Sequence, residues 1–554
     1  MSRIAIWVIV LAFALVSCGE IEKQNSIQGM LVGADGRVPA LAHVHLIELG
    51  GEIRSPIQSS EVGEDGSFIM EIPGDGYYAL LVTAVNHRDF TVPLASDDPF
   101  TLTGVHITPM PYQYRDPLKT VRIIGDWEHF AWGGAEPMTP EEEGTFTYER
   151  EVEADTMAYQ LLGVEEGDRS INGTDSDYYV YDGGGDYRSV VFAEDGMAHV
   201  VFDPEKGRII SDQDLPAVDF GDPGIALAEL WAIQKRWDTE MERSNRAYEE
   251  YVQRAGTPEG FDYDMSATKQ YLMEEMSTGR HPTARRFAAV TMAGILELGD
   301  ALNENELATI TRLVPVTDRM WTAKPTAFLE VFEQAYGREG MVKIFQDNID
   351  KVVDKKVRAA MLLELGLEAK DAGDTLKQRE IYDDLIKNQP DVNVPYISYR
   401  VETQLDPDLK VADGKPVPEF EVDLIDGKGT VSNKSMLGRY YLIDFWATWC
   451  GPCIREMPYL DSAYKEFKPK GFEILSISFD QKPEDIDGFR ATKWPMPWLH
   501  AFAEGMFQSD IGRRFEVSGI PKPVLVGPDG IIIASGPELR GENLEKILAE
   551  HLGK

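Results

Sequence analysis

The chain has 554 residues, which as a soft prior means about three to five domains. Its 54 Lys and Arg stand against 94 Asp and Glu, a formal net charge of −40. That balance argues against a nucleic-acid binder, whose phosphate contacts need clustered cations, and favours solubility and repulsion from anionic surfaces. Cysteine occurs only at Cys18, Cys450 and Cys453, too few for a framework of structural disulfides.

Residues Met1 to Cys18 have the make-up of an export signal. Arg3 gives a short basic start, and Ile4 to Leu15 is a continuous apolar stretch too short to span a bilayer. Leu15-Val16-Ser17-Cys18, placed directly after that run, resembles the lipobox of bacterial lipoproteins. The resemblance implies a signal peptide over 1–17, lipidation of Cys18 and a membrane tether over 18–25. An ordinary secretory signal with an incidental Cys is the alternative. Gly19 stands where that family uses Asp to retain proteins at the inner membrane. This points to the outer membrane of a Gram-negative-type cell envelope, with the chain facing the periplasm. No later run reaches the roughly 20 apolar residues of a spanning helix.

Residues 26–109 predict a β-sandwich. Gly29–Val32, His43–Leu46, Ser67–Ile72 and Tyr78–Val82 are strand-like, separated by Asp35-Gly36, Asp65-Gly66 and Gly74-Asp75-Gly76 turns. The turn spacing and Glu64-Asp65-Gly66-Ser67-Phe68 resemble the prealbumin-like regulatory domain of carboxypeptidases and bacterial surface proteins. His43 and His45 share a strand face; two ligands fall short of a metal site, so a packed or solvated face is expected.

Residues 112–212 predict a second sandwich. Val121 to Trp127, Pro137-Met138-Thr139 and Gly144 to Tyr148 resemble the start of early-set, glycogen-binding modules. That resemblance implies sugar stacking by Trp127, Trp132 and Tyr159; plain packing of these rings is the competing reading. Asp175, Asp177, Asp182 and Asp186 lie in a Gly-rich loop that lacks a defined calcium pattern, so a solvated turn is expected.

From 223 to 403 the texture becomes helical, with Leu227, Leu230, Trp231 and Ile233 marking an amphipathic face. Met361 to Leu367 and Ile381 to Ile386 bracket Ala372-Gly373-Asp374 and resemble one tetratricopeptide-type helix pair closed by Pro390. One unit makes no solenoid, so a helical spacer or docking domain is expected.

Residues 411–554 carry the chemistry. Tyr440-Tyr441-Leu442-Ile443 reads as a buried strand leading through Phe445-Trp446-Ala447-Thr448-Trp449 into Cys450-Gly451-Pro452-Cys453, which opens a helix. A strand feeding a helix that begins Cys-x-x-Cys is the pattern of a thioredoxin-like redox site. Residues three apart share a helix face, so the sulfurs can meet, and the positive helix end favours a thiolate. Cys450 at the exposed edge is the attacking sulfur and Cys453 the resolving one. Two other readings compete. A structural disulfide would close a loop of two residues and gain little. Half a zinc site would need two more ligands, and His500 and His551 are singletons.

Gly471 to Asp480 predicts a second core strand, helix signals run from Pro483 to Lys493, and Gly519-Ile520-Pro521 precedes the strand-like Val524-Leu525-Val526. This order, with Phe-Trp-Ala-Thr-Trp-Cys-Gly-Pro-Cys and the distal Gly-Ile-Pro, resembles the TlpA/ResA-like thiol–disulfide oxidoreductases. The resemblance covers about a quarter of the chain. It implies a C-terminal α/β thioredoxin fold, which follows the two N-terminal β-sandwiches and the all-α helical middle domain expected above. It further implies Cys450 as nucleophile, Cys453 as resolving thiol and Pro521 as the cis-proline facing them. Asp444 becomes a buried acid exchanging protons with Cys453, and Glu456 an acid tuning the thiols or a solvated first-turn acid. Trp446, Trp449, Gly451, Pro452, Ile520 and Pro521 form the expected contact surface. Lys522 and Pro523 depart from the small or hydroxyl residues usual there.

No cofactor is expected beyond the Cys450–Cys453 pair, and no metal. Gly451-Pro452 resembles thioredoxin, whose potential near −270 mV contrasts with the oxidant end near −120 mV, so a reductase is expected. Its partners are disulfide-bearing client proteins and a membrane thiol electron donor. The alternative is an envelope scaffold that binds glycan or protein, with an accessory thioredoxin fold.

Overall fold

The computed structural model describes residues 25–51, 56–73, 76–95, 101–130, 134–141, 144–167, 169–211, 213–222, 225–255, 260–392, 394–425, 427 and 429–553. Cys18, the expected signal and tether up to residue 24, and Trp132 lie outside them. The chain forms two compact units: one reaches Met361 and takes in Val392–Val394, and the other holds Leu362–Asp391 and Pro395–Lys554.

The first unit begins with two facing four-stranded sheets. One orders Gln58–Glu61, Ala42–Glu48, Tyr77–Ala84 and Phe90–Ala95; the other orders Ala217–Asp219, Thr101–Thr108, Asn25–Leu31 and Ser67–Ile72. Alternation along Ser67–Ile72 sends Phe68, Met70 and Ile72 inward to meet Val44, Leu46, Leu80 and Val82. The sequence boundary at 109 is too early. Ala217–Asp219 returns to pair with Thr108, Ile107 and His106, and Phe220, Leu227 and Trp231 complete the same core. Three residues are too short to show a strand period, and the apolar face of the following helix is what brings them back.

Strands between Arg122 and Phe202 form an eight-stranded sheet whose two halves share Tyr187–Glu194 and enclose one core, including Ile123, Met157, Tyr159, Phe146 and Phe202. The helices Ala226–Ala255, Ser266–Thr278, Pro282–Ala293, Glu304–Leu313 and Pro325–Asn348 follow. Asn303 and Glu306 close a capping box at the fourth of these.

The helical stretch expected over 223–403 is therefore divided. Thr375–Val392 belongs to the second unit up to Asp391 and continues past Pro390, which does not end it. Gln378 Nε2 donates to the Leu405 carbonyl, Lys370 Nζ to the Gln404 carbonyl and Arg400 to Glu364, tying these helices to the segment entering the redox domain.

That domain is built on strand β1 (Tyr440–Trp446). β2 (Phe472–Ser478) lies parallel beside it, with β3 (Leu499–Phe502) parallel beyond; β4 (Lys522–Val526) pairs antiparallel on its other side, followed by β5 (Ile532–Ser535). β1, β2 and β4 are buried on both faces, which is why their sequences are nearly continuous apolar runs. Helix α1 (Gly451–Phe467) buries Met457, Leu460, Ala463 and Phe467. Helices α2 (Pro483–Thr492) and α3 (Glu542–Leu552) add Ile486, Phe489, Leu544 and Leu548 to the same core.

Ile443, wholly buried in the middle strand, tests this arrangement. Ile443→Ala should destabilise the second unit by about 2–5 kcal/mol, read as an earlier transition in denaturant titration.

Candidate active site

The Cys pair sits where the central strand hands over to a helix. Cys450 is the N-cap of α1, extended at φ −85° and ψ 96°, and its Sγ accepts the Cys453 N–H at 3.2 Å. Pro452 lies in the first turn, where a missing N–H costs nothing. Cys450 and Cys453 form a disulfide with Cα atoms 5.3 Å apart. Cys450 is 5% exposed and Cys453 1%, so Cys450 offers the more reachable sulfur, although it is far less open than a surface edge.

Opposite the pair, the Ile520–Pro521 bond is cis and the Ile520 carbonyl oxygen lies 3.7 Å from Cys450 Sγ. Pro521 is buried and Ile520 half-buried, while Gly451 and Pro452 are exposed. Trp449 is 56% exposed beside the pair. Trp446 is not part of that surface, contrary to expectation. It is fully buried at the end of β1, with its ring against Phe489. Both faces of β1 are covered, so a large ring there is core.

The loop between strand and helix is held by a residue that the sequence reading passed over. Asp480, just beyond β2, accepts the Thr448 N–H at 3.0 Å and its hydroxyl at 2.7 Å, and a third bond from Ser478 Oγ. An acid placed directly after a buried strand was the available signal. The first of these bonds fixes the backbone two residues before Cys450, and the second holds the side chain there.

Asp444 is 4% exposed and accepts from Ser476 Oγ at 3.0 Å. Burial pushes its carboxyl up to about 7; the Ser476 bond opposes this, and the Glu456 charge adds to it. Glu456, half-buried in the first turns of α1, accepts the Gly541 N–H at 2.8 Å. That bond sets it apart from a freely solvated acid. Arg540, next in chain to Gly541, donates from Nη2 to the Pro521 carbonyl at 2.7 Å. No sequence pattern marked Arg540. Lys522, following the cis-proline, is buried with its Nζ donating to the Glu516 carbonyl at 2.7 Å. Burial lowers its ammonium to about 8, against the pull of the Glu516 charge.

Candidates elsewhere do not converge. His43 and His45 stack 5.4 Å apart on the outer face of their strand, against Tyr181 and Tyr187. His45 bonds Ser59 and Thr83 through its two nitrogens. Tyr159 is fully buried, with its hydroxyl on Ser176, so it has no face to offer a sugar. Trp127 packs against Tyr148 and the Arg150 guanidinium. In the Asp loop, Asp175 is held by Lys206, Asp177 accepts the Phe192 N–H, and Asp182 accepts from Gly184 and Asp186. Asp186 accepts from Tyr187 and Ser170, and burial raises it to about 6. Among the described residues no group of His, Cys, Asp and Glu gathers as for a metal, and no helix is long and apolar enough to cross a membrane.

Residues 438–532 match the family profile described as Thioredoxin-like. Thiol-disulfide oxidoreductase ResA of Bacillus thuringiensis is 31% identical over 145 residues, 26% of this chain and 79% of that protein. Probable nucleoredoxin 1 of Arabidopsis thaliana is 38% identical over 102 residues, 18% of this chain and 17% of that one. Among solved structures, the thioredoxin domain of a thiol-disulfide oxidoreductase from Bacteroides vulgatus is 31% identical, with a TM-score of 0.24, covering 26% of this chain and 98% of that one. Through its C-terminal quarter, the chain belongs to the ResA/TlpA-like thiol–disulfide oxidoreductases of the thioredoxin-like family.

Proposed function

We propose that the chain reduces disulfides in client proteins on the outer side of a bacterial inner barrier, held to an envelope membrane by lipid on Cys18. The observation that carries the reading is the setting of Cys450. Its sulfur meets a backbone N–H at a helix N-terminus, is less covered than its partner and faces the Ile520 carbonyl. The N–H and the helix end favour the thiolate. The lipobox-like Leu15-Val16-Ser17-Cys18 supports the anchor, and Gly451-Pro452 between the Cys residues supports the reducing direction.

In the reducing direction both Cys residues begin as thiols. Cys450 thiolate attacks one sulfur of a client disulfide, and the other client sulfur leaves as thiolate and takes a proton. Cys453 gives its proton to Asp444 and attacks Cys450 Sγ. The mixed disulfide breaks, the Cys450–Cys453 bond forms, and the client departs as a dithiol. Two electrons have passed to the client, and an external dithiol must return them. Glu456 tunes the proton acceptor through its charge on Asp444. Trp449, Gly451, Pro452 and Ile520 present the docking surface, with Pro521 beneath it.

Trapping tests the sequence of steps. Cys453→Ser should accumulate mixed disulfides with clients on non-reducing gels, and Cys450→Ser should form none and lose reduction of insulin by dithiothreitol. Equal turnover by Cys450→Ser and the parent would leave only the scaffold reading. A reduction potential above about −150 mV would reverse the assigned direction.

Asp444 gives a signed pH dependence. In the unfolded chain its carboxyl ionises near pH 4, and in the folded protein near pH 7. Its contribution to stability is therefore complete below about pH 4 and lost as pH rises through 7. Asp444→Asn should match the parent at pH 4 after the lost acid is allowed for, and gain on it by up to about 4 kcal/mol at pH 8, read by denaturant titration. The same substitution should remove an inflection near pH 7 from the rate of mixed-disulfide resolution. A parent rate flat across pH 6 to 8 would take proton transfer away from Asp444.

A further inference from the structure

We propose that Arg540 is a positioning residue for thiol–disulfide exchange, holding the loop that faces Cys450 at a fixed distance from the helix that carries it. Three contacts lie in series. Arg540 Nη2 donates to the Pro521 carbonyl at 2.7 Å. The next residue, Gly541, donates its N–H to Glu456 Oε2 on α1 at 2.8 Å. Across the gap, the Ile520 carbonyl oxygen stands 3.7 Å from Cys450 Sγ. Adjacent residues of one segment therefore reach to both sides of the site, one to the loop and the other to the helix.

The local chemistry suits a strut. Gly541 has φ of +57°, a conformation that side chains disfavour, and as the N-cap of α3 it lets the chain turn into that helix directly after the two contacts are made. An arginine fork is planar and directional, so a charge-assisted bond from it fixes the orientation of the carbonyl as well as its distance. Arg540 Nε is buried without a hydrogen-bond partner, so the side chain is held in place at a desolvation cost. With the Pro521 carbonyl taken, the backbone of Ile520 is what remains beside Cys450 to pair with an extended client segment. The inference rests on the proposed docking of clients along Ile520 and Pro521. Arg540 touches no reacting atom; its effect passes through the loop.

The test uses the full chain with insulin as the protein disulfide and dithiothreitol as donor. Arg540→Met should raise KM for insulin about tenfold, equivalent to about 1.4 kcal/mol, with kcat within about twofold. The reduction potential of the Cys pair should not move, because the Cys453 N–H and the helix end are untouched. Arg540→Lys, which keeps a donor, should recover most of the KM. An unchanged KM overturns the strut, as does a KM change accompanied by a shifted potential, or a Lys variant no better than Met. Should Arg540→Met fail to fold, Arg540→Gln replaces it and the same split between KM and potential decides. A parent that does not reduce insulin overturns the proposed function and the strut together; an active parent with an indifferent Arg540→Met overturns the strut alone.

Discussion

The chemistry of this protein depends on one junction, the hydrogen bond from the Cys453 N–H to Cys450 Sγ at the entrance of α1. Two opposed effects meet there. Burial disfavours a thiolate, and Cys450 is almost covered; the helix end and its unpaired N–H groups favour one. The second effect needs the sulfur held in place. β1, covered on both faces, supplies rigidity on one side, and Asp480 fixes Thr448 on the other. A looser approach would let Cys450 swing out of reach of the Cys453 N–H.

Asp444, in the strand that leads to the pair, is held at a cost in stability. A carboxyl sealed beneath the sheet with one hydroxyl partner is destabilising when ionised, and Glu456 makes it more so. Asp444 would be better replaced by an apolar residue if packing were all that mattered. A carboxyl raised to about 7 would suit the proton acceptor proposed for Cys453.

Legibility in the sequence followed the range of the interactions. The Cys pair, the strand before it and the helix after it are local, and their spacing alone defines them. Trp446 and Trp449 show the limit. They are the same residue type three positions apart, yet the first is core and the second is surface. A strand covered on both faces has no alternation to tell them apart. Arg540 and Asp480 act on Pro521 and Thr448 across 19 and 32 positions; the place of Asp480 after a buried strand marks the acid but not its partner, and nothing marks Arg540. Ala217–Asp219 escaped for a related reason, since its pairing is decided by Thr101–Thr108 and by the core that Phe220 and Trp231 complete. Tyr159 resembled a sugar-stacking ring because sequence records the ring and not its burial.

The cysteine count constrains how the site can discriminate. Each turnover in the reducing direction leaves Cys450 and Cys453 joined, and the only other cysteine in the chain is Cys18, which cannot form a dithiol alone. In the proposed cycle an external donor must therefore approach the same sulfur that the client has just left. A surface serving two proteins in succession cannot rely on a deep side-chain pocket shaped for one of them. In that cycle recognition would rest on what any extended disulfide-bearing segment shares, its backbone, and the groups beside Cys450 fit that need: exposed Gly451, Pro452 and Trp449, and the carbonyl of half-buried Ile520. In the proposed cycle the order of partners would be left to redox potential, since a dithiol that gives electrons to the pair and a disulfide that takes them differ in oxidation state before they differ in shape.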